Sequence, residues 1–339
     1  MTARRRILIA GAALAAGRAF GTTAAPPAAD AVADILQAGT AVPGLRALMA
    51  ARRGEPFAER YYGGATAQNL QPINSATKSV CSMLVGQALR DGSLKSLDQT
   101  VAQLLPDAVA DLPDSPVAAL TLRQILCGRS GLAFDPMLFG QLASAKPLVG
   151  FVLSRPPLPV GPSGWSYNDA LVALIAPILR RAQGADLDVL AQRQLFGPLG
   201  IERFQWQRDG DGKALAPAGL ALRPRDLLKL ASLMAAGGQW QGKQLLPAEW
   251  VSESQTPLGP ATWRAAPVDE VGYGLLWFTG RLHGQRVAWA WGYGGQFALL
   301  APELGLAVAT AATSPPPSLL REQTDAVMAL VGRLVQAAV

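Results

Sequence analysis

The sequence predicts a mixed α/β (α+β) protein: an antiparallel sheet formed from both ends of the chain and flanked by helices, with a mostly helical subdomain inserted. Three observations predict it. Segments rich in β-branched and aromatic residues stand near the start and recur through the last third. Helix formers in Ala-Leu runs fill the middle. Half of the 339 residues are apolar and 16% are charged, which suits a large core and argues against disorder.

In chain order, residues 30–38 read as a first helix. Residues 45–51 and 57–62 read as strands around the turn Arg52-Arg53-Gly54-Glu55. Residues 74–90 read as a helix capped by Asn74, starting at Ser75 and stopping near Asp91-Gly92. Helical patterns follow at 120–126, 171–182, 186–195, 225–236 and 247–254. Residues 274–278, 286–291, 297–301 and 306–311 read as successive antiparallel strands, and 318–338 as a closing amphipathic helix. The sheet lobe then takes about residues 30–72 and 265–339, and the helical lobe about 73–264, within one domain over 25–339. A cleft between two such lobes is a natural ligand site.

The formal charge of +6 is concentrated at the start, where Arg4, Arg5, Arg6 and Arg18 precede the first acid, Asp30. Without them 26 basic residues face 24 acidic ones, and no basic run tracks a phosphate backbone, so nucleic acid is not the expected partner. Arg4 to Arg6, the apolar stretch at 7–16 and the small residues Thr22-Thr23-Ala24 read as an export signal over 1–24. Sec and twin-arginine export both fit, and either places the protein in the periplasm or outside the cell. That apolar stretch is too short to span a bilayer, and no later segment makes a stable span. Cys81 and Cys127 are too few for a disulfide framework; they read as buried thiols, with one bridge left open.

The single histidine, His283, falls at a hairpin tip over 279–285. This excludes a His-rich zinc site and leaves a Ser-His-Asp triad only an exposed turn histidine. No Gly-x-Ser-x-Gly elbow, dinucleotide fingerprint or Walker loop occurs, so neither a metal nor a cofactor is expected. Acyl chemistry in this chain needs a base other than histidine.

Asn74-Ser75-Ala76-Thr77-Lys78 supplies one. A serine at a helix start has an uncommitted backbone N–H able to hold an oxyanion forming beside its own Oγ. Lys78, three residues on, lies over the same face. A lysine desolvated under a cleft has a depressed pKa and takes the serine proton.

The surrounding residues resemble the family of class C serine β-lactamases, D-Ala-D-Ala carboxypeptidases, related esterases and 6-aminohexanoate-dimer hydrolases, in the β-lactamase and penicillin-binding-protein-like superfamily. The resemblance runs from about Leu45 to the C-terminus. Ser75-Ala76-Thr77-Lys78-Ser79 resembles the nucleophile segment, and Thr121-Leu122-Arg123-Gln124-Ile125-Leu126 with Ser130-Gly131-Leu132 a second landmark. Phe196-Gly197-Pro198-Leu199-Gly200-Ile201 and Gly219-Leu220 with Arg225-Asp226-Leu227 are two more. Tyr167-Asn168-Asp169 stands where the family has Tyr-x-Asn, with Asp169, a substrate contact by that match, as a departure that adds a carboxylate near the lysine. Tyr167 is then implied as a proton relay, its phenolate character favoured by the nearby lysine. Ala290-Trp291-Gly292 stands where the β-lactamases have Lys-Thr-Gly. The resemblance implies Tyr293 as the second oxyanion N–H, and Trp291 with Gly292 as substrate contacts, the glycine letting substrate lie close to the strand. Losing that lysine and threonine points away from penicillins and toward small esters or amides. A β-lactamase or carboxypeptidase, and a non-catalytic envelope module, are the alternatives.

Overall fold

The computed structural model describes residues 27–135, 139–161 and 163–339. The expected export signal over 1–24 lies outside them. The main sheet has seven strands: β1 (Leu45–Arg52), β2 (Glu55–Tyr61), β3 (Asp269–Tyr273), β4 (Phe278–Leu282), β5 (Gln285–Gly292), β6 (Gln296–Ala301) and β7 (Leu306–Ala312). Their order is β2-β1-β7-β6-β5-β4-β3, with each neighbouring pair antiparallel. The first strands therefore join the last ones through the β1–β7 pair, where Leu48 faces Thr310 and Ala50 faces Val308. Two tight turns set the hairpin registers: Arg53 and Gly54 both have positive φ between β1 and β2, as do His283 and Gly284 between β4 and β5. That is the turn geometry that matches strand twist, and it puts His283 at an exposed hairpin tip.

Every residue of β6 and β7 is buried, so both faces of the sheet are covered. The helix Pro224–Ala235 packs against β1, β6 and β7. The first helix, Ala29–Ala38, and the closing helix, Leu320–Ala337, pack on one another. Among the described residues no helix is long and apolar enough to cross a membrane.

Of the strand expected at 274–278, only Phe278 lies in one, as the first residue of β4. Residues 274–277 are the buried connection between β3 and β4, with Leu276 at φ 62°. Its carbonyls accept from side chains: Ser79 Oγ donates to Leu276 O at 2.6 Å and Ser82 Oγ to Leu275 O at 2.7 Å. Those bonds replace a ladder, which is how an irregular apolar segment stays inside. The helix expected at 171–182 divides into Asp169–Ala173 and Ile175–Gln183, and the one at 186–195 widens after Ala191 into a π turn over Gln192–Phe196.

Asp226, at the start of Pro224–Ala235, is 1% exposed. It receives Arg223 Nε at 2.6 Å and Nη2 at 3.2 Å, with Lys229 Nζ at 3.2 Å. This explains the Arg225-Asp226-Leu227 landmark as an anchor of the helix that supports the sheet. Asp226→Ala is expected to cost about 2 kcal/mol, since charged hydrogen bonds are lost at a buried site. A lowered urea midpoint at unchanged slope measures it.

Candidate active site

Pairing of Gln71–Pro72 with Leu220–Leu222 delivers the chain to the nucleophile segment, and the Ile73 N–H donates to Leu220 O at 2.9 Å. Asn74 then enters the left-handed region at φ 49°, which asparagine tolerates better than most residues. One 3-10 turn, Asn74–Ala76, leads into the helix Thr77–Arg90. The α-helix thus begins at Thr77 rather than Ser75, and Asn74 is not its cap. The Asn74 amide donates instead to the Tyr293 carbonyl at 2.9 Å and to Ser314 Oγ at 3.2 Å. Ala76 N–H is taken by Ile73 O at 3.1 Å, whereas the Ser75 N–H has no partner among the described residues.

The helix is buried from Thr77 through Ala88. Lys78 is 2% exposed, and three oxygens ring its ammonium: Ser75 Oγ at 3.1 Å, Pro217 O at 2.7 Å and Asp169 Oδ1 at 2.6 Å. Nζ also lies 4.7 Å from the centre of the Tyr167 ring, and the Tyr167 hydroxyl interacts with both Ser75 and Lys78. Ser75, Lys78, Tyr167 and Asp169 therefore converge.

The electrostatics differ from the expectation in two respects. Burial pushes the Lys78 ammonium down, but Tyr167 and the Asp169 carboxylate more than offset it, and the net direction is up. Tyr167 is likewise raised: burial is the largest cause, Lys78 opposes it and Asp169 adds to it. Both directions favour an ammonium on Lys78 and a neutral phenol on Tyr167 over a free amine and a phenolate. Asp169 touches the base as well as lining the cleft. The preceding residue, Asn168, has a structural task. Its Oδ1 accepts from the Leu171 N–H at 3.0 Å, capping Asp169–Ala173, and its Nδ2 donates to Leu132 O at 3.2 Å.

Tyr293 follows β5 in the turn to β6. Its N–H has no partner among the described residues, while its carbonyl accepts from Asn74 and its hydroxyl donates to Pro315 O at 3.0 Å. Gln323 Nε2 donates to Gly294 O at 2.8 Å and Thr310 Oγ1 to Gly295 O at 2.7 Å. These bonds hold the turn from both sides. Gly292 does not line the cleft. A Cβ there would lie 2.1 Å from the Ile73 carbonyl, so this glycine lets β5 meet the nucleophile segment rather than a substrate.

Ser75, Tyr167 and Asp169 open onto a cleft of about 1120 Å³. Phe134, Phe139, Phe151, Trp165, Trp263 and Trp291 form apolar wall, and Arg264, Arg321 and Asp325 also line it. Trp263, which the sequence did not single out, packs at a tilt of 32° against Tyr167 with ring centres 4.5 Å apart. It is a lone tryptophan in an irregular segment, with no periodicity to mark it. The Pro217 carbonyl was equally invisible, because a backbone acceptor leaves no residue-type signal. Among the described residues no group of histidine, cysteine or acidic side chains is placed to hold a metal ion. Cys81 and Cys127 are free and buried.

An antiparallel sheet joined from both termini, with a serine and lysine at the start of a buried helix, defines a β-lactamase/transpeptidase-like fold. The Beta-lactamase family model matches residues 30–333, and the chain belongs to that family, whose members are generally serine hydrolases or acyltransferases. Among solved structures, a penicillin-binding protein homologue from Caulobacter crescentus is 17% identical, with 94% of this chain and 99% of that one covered at TM-score 0.69. Simvastatin synthase LovD from Aspergillus terreus is 20% identical, with 91% and 100% covered at TM-score 0.68. A Bacillus anthracis protein designated a 6-aminohexanoate-dimer hydrolase is 18% identical, with 94% and 84% covered at TM-score 0.70. No curated protein matches the sequence.

Proposed function

We propose that this protein is a serine hydrolase that cleaves a small ester or amide through an acyl-enzyme on Ser75. The observation that carries the reading is the 3.1 Å contact between Ser75 Oγ and the wholly buried Lys78 Nζ at the floor of an aromatic cleft. Ser75 Oγ attacks the carbonyl, and the uncommitted N–H groups of Ser75 and Tyr293 hold the oxyanion. Tyr167, neutral at rest, is suited to give a proton to the leaving group, and water then releases the acyl group. Ala290 and Trp291 offer no cation or hydroxyl for the carboxylate of a β-lactam, which favours esters and amides over lactams. The basic and apolar start of the chain supports work outside the cytoplasm.

A fluorophosphonate probe should label the protein, and Ser75→Ala should abolish labelling. Labelling that survives this substitution sinks the assignment. Nitrocefin turnover faster than that of p-nitrophenyl esters would return the β-lactamase reading.

Trp263 is 40% exposed and forms cleft wall. Trp263→Ala is expected to raise KM for a p-nitrophenyl octanoate by about tenfold, the worth of a lost aromatic contact, and to leave the acetate ester nearly unchanged. A uniform fall in kcat for both esters would instead mean that Trp263 mainly holds Tyr167.

A further inference from the structure

Lys78 is an ammonium at rest, and an ammonium has no lone pair with which to take the serine proton. The groups around it narrow the choice of where its own proton goes. Cys81, on the same helix, is pushed up to about 12 by burial and stays a thiol. Tyr167, Tyr273 and Cys127, facing the site from neighbouring elements, are all raised, chiefly by burial, and stay neutral. The Pro217 carbonyl accepts a hydrogen bond and no proton. Ser75 is the group to be deprotonated. That leaves the Asp169 carboxylate, 2.6 Å from Nζ.

The two partners are unequally placed. The Lys78 side chain is 3% exposed and the Asp169 side chain 25%, and Asp169 lines the cleft. Water in the open cleft therefore reaches the carboxylate and favours the ion pair. A substrate filling the cleft expels that water, and separated charges lose their solvation. The neutral pair of amine and carboxylic acid then gains on the ion pair.

We propose that Asp169 is the proton store for Lys78 and that substrate arms the base by drying the pair. This rests on the serine-hydrolase reading and adds the control of its base. One proton moves from Nζ to Oδ1, leaving a neutral amine and a carboxylic acid. The freed lone pair takes the Ser75 hydroxyl proton as the Oγ–carbon bond forms and the carbonyl π pair moves onto oxygen. When the intermediate collapses, the bond to the leaving group breaks and its electron pair takes a proton from Nζ through Tyr167. Asp169 returns its proton to Nζ, and the ion pair is restored. Nothing is oxidised or reduced, and the site's net charge is the same at the start and the end. Asp169 acts on substrate only through Lys78 and is a positioning residue.

Asp169→Asn tests this, because a carboxamide keeps the shape and takes no proton. The readout is the rate of Ser75 labelling by the fluorophosphonate as a function of pH. The wild type is expected to label at a nearly constant rate from about pH 6 to pH 9, since its active form is the ion pair itself. Asp169→Asn is expected to lose the flat profile: with the carboxylate gone burial pushes Lys78 down unopposed by it, and the rate falls about tenfold per pH unit below the point at which that lysine takes a proton from bulk water. Complete labelling of that variant at high pH shows that it is folded. Asp169→Glu should recover the flat profile. A profile for Asp169→Asn as flat as that of the wild type across the whole range overturns the proposal and leaves the hydrolase reading standing. A wild type that takes no label on Ser75 overturns both.

Discussion

Lys78→Met is expected to slow acylation of Ser75 by about 1,000-fold, the usual worth of a positioned general base. Methionine keeps the unbranched apolar stem, so the helix packing is nearly preserved, and only the nitrogen is lost. The nitrogen is what Ser75 Oγ, Pro217 O and Asp169 Oδ1 all face. Its loss leaves the buried Pro217 carbonyl without this donor and the Asp169 carboxylate without its cation. A stability loss of about 2 kcal/mol should accompany the rate loss. The double variant Lys78→Met/Asp169→Asn separates the two effects. It removes the stranded charge, so its thermal midpoint should recover toward the wild type, while its acylation rate stays at the level of the single variant. Single-turnover release of p-nitrophenol measures the rate and thermal unfolding the stability. A Lys78→Met protein that acylates within tenfold of the wild type would mean that the serine proton leaves by another route.

The sequence carried the strands well where a tight turn joined alternating patterns. Arg53-Gly54 and His283-Gly284 both need positive φ, and both sit at the hairpin tips where turn chemistry placed them. It carried the convergence of Ser75 and Lys78 because residues three apart share a helix face. It failed at 274–277 because an apolar run says that a segment is buried, not what its backbone bonds to. The hydroxyls of Ser79 and Ser82 that satisfy this segment lie 197 and 193 residues earlier in the chain than the carbonyls they reach. The charge state of Lys78 was misjudged for a related reason. Burial was legible from the apolar context, but the carboxylate that reverses its effect comes from Asp169, brought to 2.6 Å only by the fold. Asp169 is legible as an added carboxylate near the lysine; the direct 2.6 Å contact, which decides the direction of the shift, is not. A glycine in a strand marks a close approach without saying to what: at Gly292 the neighbour is Ile73, not the substrate that the resemblance implies.

That close approach makes Gly292→Ala the second large expected effect. Gly292 is not among the glycines of positive φ, so alanine meets no backbone strain there. The whole effect is steric. The added methyl would stand 2.1 Å from the Ile73 carbonyl and 2.8 Å from Gln296 Cβ. Relieving it requires β5 and the nucleophile segment to separate by roughly 1.3 Å, the gap between 2.1 Å and the shortest ordinary contact. Gln296 has little room to yield, since its side chain is buried and bonds both the N–H and the carbonyl of Ala312 on β7. The separation is transmitted to chemistry by sequence adjacency. Ser75 lies two residues beyond Ile73, and Tyr293 is the next residue after Gly292. The two N–H groups proposed to hold the oxyanion are thus carried by the two segments forced apart, and the Asn74 bond to the Tyr293 carbonyl is stretched with them. Misplacing one such donor costs about 100-fold in kcat, and overpacking costs about 1–3 kcal/mol of stability. The expected signature is a fall in kcat with KM nearly constant, because the oxyanion forms only after the substrate is bound. A destabilised Gly292→Ala protein with normal kcat would mean that the second donor is not the Tyr293 N–H.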